Sequence, residues 1–166
     1  MRVFLTLLLC VAGVFGADQA RRAPGFALPD TKMEVHDLYD YRGKAVILEF
    51  MQTTCPHCAG FVSTLQKIQQ KYGDKVQILA VVVPPDNMTT VGQFVEGHKI
   101  TFPVLFDMGQ AMYSYVRQGH VSFPQVYVVD PKGMIYAHFD YSNVLDRDIF
   151  DGNGLVNEID RMMTKK

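Results

Sequence analysis

Two apolar runs that bracket a helical pattern are the strongest constraint on the fold of this chain. Residues 45–50 and 76–83 are rich in β-branched and aromatic side chains, which is typical of buried strands. Between them, apolar residues recur at helical spacing over 61–72, and Gly73 follows the last turn. Two buried strands joined by a helix predict a βαβ unit with parallel strands.

The rest of the chain continues the alternation of helices and strands. The patterns predict a helix capped by Asp86 or Asn87, a strand at 101–106, a helix at 110–118, a hairpin of 125–129 and 134–138, and a helix at 155–163 capped by Asp151 or Asn153. Residues 146–154 are acidic but lack the spacing of a calcium loop, and we interpret them as a polar loop before the last helix. We therefore expect an α/β fold with a central mixed sheet and helices on both faces.

The first 17 residues have the features of a secretory signal peptide. Arg2 precedes an apolar run over 3–15, which is short for a membrane span, and small residues follow at Gly16 and Ala17. The sequence predicts a signal peptide at 1–17 and an exported protein, periplasmic or otherwise extracytoplasmic. An uncleaved membrane anchor is the alternative.

Composition sets the size of the protein and the classes of partner. The 166 residues carry a formal net charge of −1 with charges spread along the chain, which argues against nucleic acid as a partner. Residues 23–164 suffice for a single domain with its own core. We expect that domain to be a monomer.

Two cysteines stand two residues apart in TTCPHCAG, residues 53–60, while Cys10 falls inside the predicted signal. A zinc site needs four ligands, and the histidines of this chain are scattered singly. A disulfide between Cys55 and Cys58 would close a very short loop and stabilise the fold by only about 2 kcal/mol. These counts favour a thiol pair that exchanges electrons.

The helix that follows assigns a role to each residue of the motif. Cys55 lies at the predicted helix start, where free backbone N–H groups and the helix dipole favour a thiolate. Pro56 suits the first helical position, and His57 adds positive charge or a hydrogen bond beside the sulfur. Cys58, one turn along, is within reach of a mixed disulfide on Cys55. We expect Cys55 to be the nucleophile and Cys58 the resolving thiol, with no cofactor beyond their disulfide and no metal.

Glu49 is the single charged residue in the strand that precedes the motif. Alternation places it on the same side as Ala45 and Ile47, which predicts at least partial burial. Burial would raise its pKa and let the carboxylate accept the proton that Cys58 loses. The alternative is an ordinary carboxylate facing water at a strand end.

These motifs resemble a known family. The segment EFMQTTCPHC, residues 49–58, resembles the active-site strand and helix start of thioredoxin-fold proteins. Residues 23–28, ITFPVLFD at 100–107 and SFPQVYVVDPKGMI at 122–135 resemble the TlpA-like, peroxiredoxin-related branch. The resemblance extends over 23–164.

The resemblance implies a thioredoxin fold with an N-terminal extension and an inserted helix and strand near 86–106. It also implies that Pro124 is cis and stacks beside the disulfide, with Ser122 and Phe123 in the substrate-binding segment. The backbone of Phe123 would pair with substrate backbone. Phe123 departs from the family pattern, in which a small or β-branched residue often precedes this proline.

The function expected from these features is thiol–disulfide exchange with cysteines of other exported proteins. The resemblance favours a reductant, for example of apocytochrome c thiols before haem attachment, recharged by a membrane thiol/disulfide partner. The CPHC motif, in which His57 would stabilise a thiolate, favours a DsbA-like oxidant as the alternative. A thiol peroxidase is disfavoured because Gln52 occupies the position of a needed threonine. A copper chaperone would need CxxxC spacing.

Overall fold

The computed structural model describes residues 21–117, 121–150 and 153–165, so the predicted signal peptide lies outside the described residues. The strands are β1 (Ala27–Pro29), β2 (Val35–Asp37), β3 (Ala45–Met51), β4 (Val76–Val82), β5 (Val104–Phe106), β6 (Gln125–Val129) and β7 (Ile135–Asp140). The helices are α1 (Pro56–Tyr72), α2 (Met88–Gly97), α3 (Gln110–Tyr115), α4 (Arg147–Phe150) and α5 (Asn153–Thr164).

β3 lies at the centre of a five-stranded sheet with the order β5-β4-β3-β6-β7. β3 is parallel to β4, and β4 is parallel to β5, whereas β6 is antiparallel to both β3 and β7. Helix α1 connects β3 to β4, and α2 connects β4 to β5. This mixed sheet with an inserted helix and strand confirms the predicted thioredoxin fold. In the N-terminal extension, β1 and β2 form a separate antiparallel pair.

Alternation along the central strands divides the core into two layers. Ile47 and Ile78 pack on one face of the sheet with the apolar sides of α1, α2, α4 and α5. Leu48 and Leu79 point to the other face, which α3 and the segment before β3 cover. Each such fully buried side chain stabilises the fold by roughly 1.5–3 kcal/mol. Both faces of β3 are therefore dry, and a polar side chain there has to be accommodated by the protein.

Helix α1 begins and ends at residues that suit those positions. Cys55 is its N-cap and Pro56 follows at the first turn, where no N–H is needed. Gly73 ends the helix with φ of 53°, a left-handed value that costs glycine little, and its N–H donates to the Gln69 carbonyl. The helix start, and with it the cysteine motif, is thereby fixed at the carboxyl end of β3.

The sequence predictions differ from the structure at several boundaries. The strand expected at 101–106 is β5, which forms only over its second half, and the helix expected at 110–118 ends at Tyr115. The prediction of a polar loop at 146–154 is wrong, because α4 forms within this range and buries Ile149 and Phe150. Asn153 is the first residue of α5 rather than a residue before it, and Asp151 lies outside the described residues. The β1–β2 pair has no counterpart among the predicted elements.

In the part of the chain that the structure describes, no helix has both the length and the apolar character needed to span a membrane.

Candidate active site

Cys55 lies at the mouth of α1, directly after the turn that leaves β3. Its backbone N–H donates to the Gln52 carbonyl at 3.1 Å, which fixes the turn. Its sulfur accepts a hydrogen bond from the Cys58 backbone N–H at 3.2 Å. A sulfur that accepts an N–H at a helix start is better stabilised as a thiolate than as a thiol. The side chain is partly exposed, so an incoming disulfide has access to it.

Cys58 lies one turn further along α1 and is fully buried. Burial raises the pKa of the Cys58 thiol well above its ordinary value, and negative charge on Glu49 raises it further. Both cysteines are free thiols in this structure. The two sulfurs therefore differ in access, since Cys55 is partly exposed and Cys58 is buried.

Glu49 is fully buried in the centre of the sheet, paired with Ala80 of β4 and Val126 of β6. By alternation it points to the same face as Ile47 and Met51, the face on which Cys58 packs. Neither carboxyl oxygen has a hydrogen-bond partner among the described residues. Burial raises the pKa of Glu49 from 4.5 to about 8. The predicted burial is confirmed, and the water-facing alternative is wrong.

Pro124 and Phe123 approach the cysteines from the loop before β6. The peptide bond between them is cis, and Pro124 is buried. The Cys55 thiol donates to the Phe123 carbonyl at 3.6 Å, so this backbone group lies beside the Cys55 sulfur. The phenyl ring of Phe123 is half-buried and packs against both core layers. Much of the bulk that departs from the family pattern is thus directed into the protein.

Ser122 belongs to a polar network behind this loop. Its hydroxyl donates to Asp140 at 2.5 Å and accepts from the Gln125 amide at 3.4 Å. The Gln125 amide oxygen lies 2.6 Å from a ring nitrogen of His138. Although burial opposes ionisation, hydrogen bonds from Ser122, Gln125 and Ser142 lower the pKa of Asp140 below its ordinary value. Ser122 therefore anchors the loop to β6 and β7.

His57 lies in the first turn of α1 with an exposed side chain. Its imidazole stacks on the ring of Tyr141, with centroids 4.1 Å apart and planes inclined by 23°. Tyr141 follows β7 directly, and its backbone N–H donates to the Pro124 carbonyl at 3.3 Å. The stack therefore joins the cysteine motif to the Pro124 loop.

Asp86 anchors the turn between β3 and α1 from the opposite side. Its carboxylate accepts the backbone N–H of Thr53 at 2.8 Å, and it also accepts the Thr53 hydroxyl. The Thr90 hydroxyl donates to the same carboxylate at 3.0 Å. Asn87, rather than Asp86, is the N-cap of α2. Asp86 is thereby free to tie the active-site turn to the loop after β4.

One group of side chains among the described residues has the spacing of a metal site, and it lies away from the cysteines in the β1–β2 extension. Ligand atoms of Asp30, Glu34 and His36 lie within 4.8 Å of one another. The Asp30 carboxylate already accepts the backbone N–H groups of Lys32 and Glu34 and contacts His36 at 3.3 Å. These contacts account for the cluster as a structural link within the extension.

The structure brings together all eight residues that the sequence singled out, and it adds three that sequence reasoning missed. Tyr141 stacks on His57, the Nε of Arg147 donates to the Tyr141 carbonyl, and Asp86 accepts the Thr53 N–H. Tyr141 and Arg147 come from the end of β7 and the start of α4, which no spacing in the sequence relates to the cysteine motif. The sequence predicts only a helix-capping role for Asp86. An acidic residue at the carboxyl end of β4, beside β3, was the one available signal for it.

Comparison with known proteins agrees with this geometry. Residues 20–138 match the AhpC/TSA family. The chain is 31% identical over 122 residues to the thioredoxin-like protein YneN of Bacillus subtilis, covering 72% of this chain and 70% of YneN. It is 36% identical over 117 residues to the thiol-disulfide oxidoreductase ResA of Geobacillus thermodenitrificans, covering 68% of this chain and 64% of ResA.

Solved structures show the same fold. A protein of Chlorobium tepidum described as a thiol:disulfide interchange protein DsbE superposes with a TM-score of 0.72 at 26% identity, covering 84% of this chain and 94% of that one. A Neisseria meningitidis protein described as a thioredoxin gives a TM-score of 0.67 at 27% identity, covering 89% and 93%. The predicted TlpA-like resemblance is thus confirmed, and the chain belongs to the AhpC/TSA family.

Proposed function

We propose that this oxidoreductase acts outside the cytoplasm as a reductant of disulfides in other exported proteins. The observation that carries the proposal is the asymmetry of the two thiols. Cys55 is accessible and lies beside a backbone carbonyl, whereas Cys58 is buried on the sheet face to which the unpaired carboxyl of Glu49 points. That arrangement suits an attack followed by a release step, and in the reducing direction these two steps transfer two electrons to the substrate.

In the first step the Cys55 thiolate attacks one sulfur of the substrate disulfide. A bond forms between Cys55 and that sulfur, the substrate S–S bond breaks, and the other substrate sulfur leaves as a thiolate. The Phe123 carbonyl, 3.6 Å from the Cys55 sulfur, is placed to accept a backbone N–H of the substrate. Ser122, through Asp140, holds this carbonyl in position.

In the second step Cys58 loses its proton and attacks the Cys55 sulfur. The Cys55–Cys58 disulfide forms, the mixed disulfide breaks, and the second substrate thiolate leaves, so the substrate gains two electrons. Glu49 is the group placed to take the proton, since burial raises its pKa to about 8 and its charge acts on Cys58. The fraction of molecules with Glu49 ionised and ready to accept the proton therefore grows as the pH rises toward 8.

Electron flow from the protein to its substrate is favoured by the surroundings of Cys58. A strong oxidant such as DsbA owes its potential to stabilisation of its reduced form. Here burial and the Glu49 charge raise the pKa of Cys58. The thiolate form of Cys58 is therefore not stabilised in the reduced protein. His57 acts in the opposite sense, because positive charge beside the pair stabilises a thiolate. A DsbA-like oxidant is therefore the second candidate.

The redox group in this proposal is the Cys55/Cys58 pair itself, without a further cofactor. The location follows from the predicted signal peptide. The substrates are exported proteins with paired cysteines, apocytochrome c among them, and a membrane thiol/disulfide protein returns the electrons. The near-neutral chain offers no feature for nucleic acid, and we expect a monomer.

The reduction potential distinguishes the two directions. The mature protein is equilibrated with glutathione buffers, and the fraction of oxidised Cys55/Cys58 is measured by alkylation and mass spectrometry. A reductant should have a potential near that of thioredoxin, about −270 mV, and a value near that of DsbA, about −120 mV, would overturn the proposed direction.

Mixed-disulfide trapping tests the roles of the two thiols. Cys58→Ala should retain substrates on Cys55, since the releasing thiol is gone. Cys55→Ala is the matched control and should retain none, because Cys58 is buried. If Cys55→Ala traps partners and Cys58→Ala does not, the assignment of nucleophile and resolving thiol is reversed.

A further inference from the structure

The His57 imidazole stacks on the ring of Tyr141. Among the described residues, no group forms a hydrogen bond with its ring nitrogens, and the ring stacks on Tyr141 at 4.1 Å between centroids. The side chain is otherwise exposed at the N-terminal turn of α1. Without the ring of Tyr141, it would be free to rotate into solvent.

Tyr141 in turn is fixed from several directions. The Arg147 guanidinium lies 4.7 Å from the centre of its ring, and the Nε of Arg147 donates to the Tyr141 carbonyl at 3.3 Å. The Phe150 ring meets Tyr141 edge-on at 5.2 Å, which connects the tyrosine to the core. Its backbone N–H donates to the Pro124 carbonyl at 3.3 Å. The stack therefore has a rigid base next to the reacting sulfurs.

We propose that Tyr141, held by Arg147, is a positioning residue that fixes the His57 imidazole at the start of α1 and thereby raises the reduction potential of the Cys55/Cys58 pair. This inference rests on the proposed thiol–disulfide exchange. It concerns the equilibrium between the dithiol and the disulfide rather than the direction of electron flow in the cell.

The physical reason lies in the positive charge that an imidazole carries in its protonated form. The face of a phenol ring attracts a positively charged group placed over it. A positive His57 next to the pair stabilises a thiolate, and so stabilises the reduced form over the disulfide. A stacked imidazole keeps that charge at the helix start, whereas an unrestrained one also occupies positions further from the sulfurs, where salt screens it more strongly. Loss of the stack should therefore make the pair more reducing.

Tyr141→Leu removes the aromatic face and keeps an apolar side chain against Phe150. We expect the equilibrium constant with glutathione to shift about threefold to tenfold toward the disulfide, on the scale of single aromatic contacts. Tenfold corresponds to about 30 mV for this two-electron couple. Tyr141→Phe keeps the ring and should stay within about twofold of the wild type. If Tyr141→Leu fails to fold, Tyr141→Met, which has a similar volume and no ring, takes its place with the same expectation.

Two controls separate positioning from general loosening of the structure. In a His57→Ala background, Tyr141→Leu should leave the potential unchanged, because the group it positions is gone. Tyr72→Leu is the matched change at the far end of α1, where Lys71 lies 4.8 Å from the ring centre, and it should alter stability without altering the potential.

The outcomes are distinct. A Tyr141→Leu potential equal to the wild type, or an equal shift in the His57→Ala background, overturns this inference while leaving the exchange activity in place. A wild-type protein whose cysteines fail to exchange with glutathione overturns the proposed function itself. A shift that appears with Tyr141→Leu and vanishes without His57 supports the positioning role.

Discussion

Replacement of Glu49 by glutamine is expected to stabilise the protein, by an amount that grows between pH 5 and pH 8. The carboxyl group is fully buried, and neither oxygen has a hydrogen-bond partner among the described residues. Burial raises its pKa from 4.5 to about 8, because a charge in the dry centre of the sheet is poorly solvated. Glutamine has nearly the same shape and carries no proton to lose.

The sign follows from proton binding. Between pH 4.5 and about 8 the folded protein keeps the Glu49 proton while the unfolded chain has lost it, so the free energy of unfolding falls as the pH rises. At about 1.36 kcal/mol per pH unit, this interval of roughly 3.5 units corresponds to about 5 kcal/mol, of which about 3 kcal/mol is lost by pH 7. Glu49→Gln does not undergo this loss, so between pH 5 and pH 8 its stability relative to the wild type should grow by roughly 4 kcal/mol.

Urea denaturation at pH 5, 6, 7 and 8, with the cysteines kept reduced, measures the effect. Glu96→Gln, which changes an exposed carboxyl on α2, is the control and should follow the wild type at every pH. If the wild type and Glu49→Gln show parallel stability profiles over this range, Glu49 does not titrate with a raised pKa. Its role as the proton acceptor for Cys58 would then be lost as well.

Three further predictions concern Glu49, Asp86 and Gly154. With Cys58 present, release of substrate from the Cys55 mixed disulfide should accelerate as the pH rises toward 8, where Glu49 ionises, and Glu49→Gln should be slower and lack that rise, measured by quenched-flow alkylation. Asp86→Ala should lower the free energy of unfolding by about 1–3 kcal/mol, since it leaves the Thr53 N–H without its partner, and Asp86→Asn should lose less. Gly154→Ala should destabilise the protein by about 1–3 kcal/mol in thermal unfolding, because a Cβ there would lie 2.8 Å from the Asp148 carbonyl oxygen, whereas Gly92→Ala on α2 has open space and should not.

The parts of the fold that the sequence predicts well are those with strong local signals. β3 and α1 have continuous or periodic apolar patterns, and Gly73 marks the helix end with a conformation that few other residues adopt. The burial of Glu49 followed from alternation alone, because its neighbours on both sides of the strand are apolar. These features depend on residues close together in the chain.

The parts that the sequence does not predict depend on contacts between distant segments. α4 is a single turn, too short to show a helical pattern in the sequence. Its apolar side chains, Ile149 and Phe150, are buried by packing in the core with Phe61 of α1. The β1–β2 pair is too short to show a periodic pattern. Tyr141 resembles any aromatic residue after a strand until β7 brings it to the start of α1. Tertiary packing, rather than local propensity, selects these elements.

The chemistry of the site follows from the different surroundings of two identical thiols. Cys55 lies at a helix start, next to a backbone carbonyl and partly in solvent. Cys58 packs in the core and is affected by the charge of Glu49. A carboxyl in the centre of β3 costs stability, and no hydrogen bond among the described residues offsets that cost. We therefore expect the Glu49 carboxyl to contribute to the second step of the proposed reaction. In that step Cys58 has to lose its proton in a buried position that water does not reach. The same burial that destabilises the fold above pH 4.5 brings the pKa of Glu49 into the range in which it can exchange a proton with a thiol.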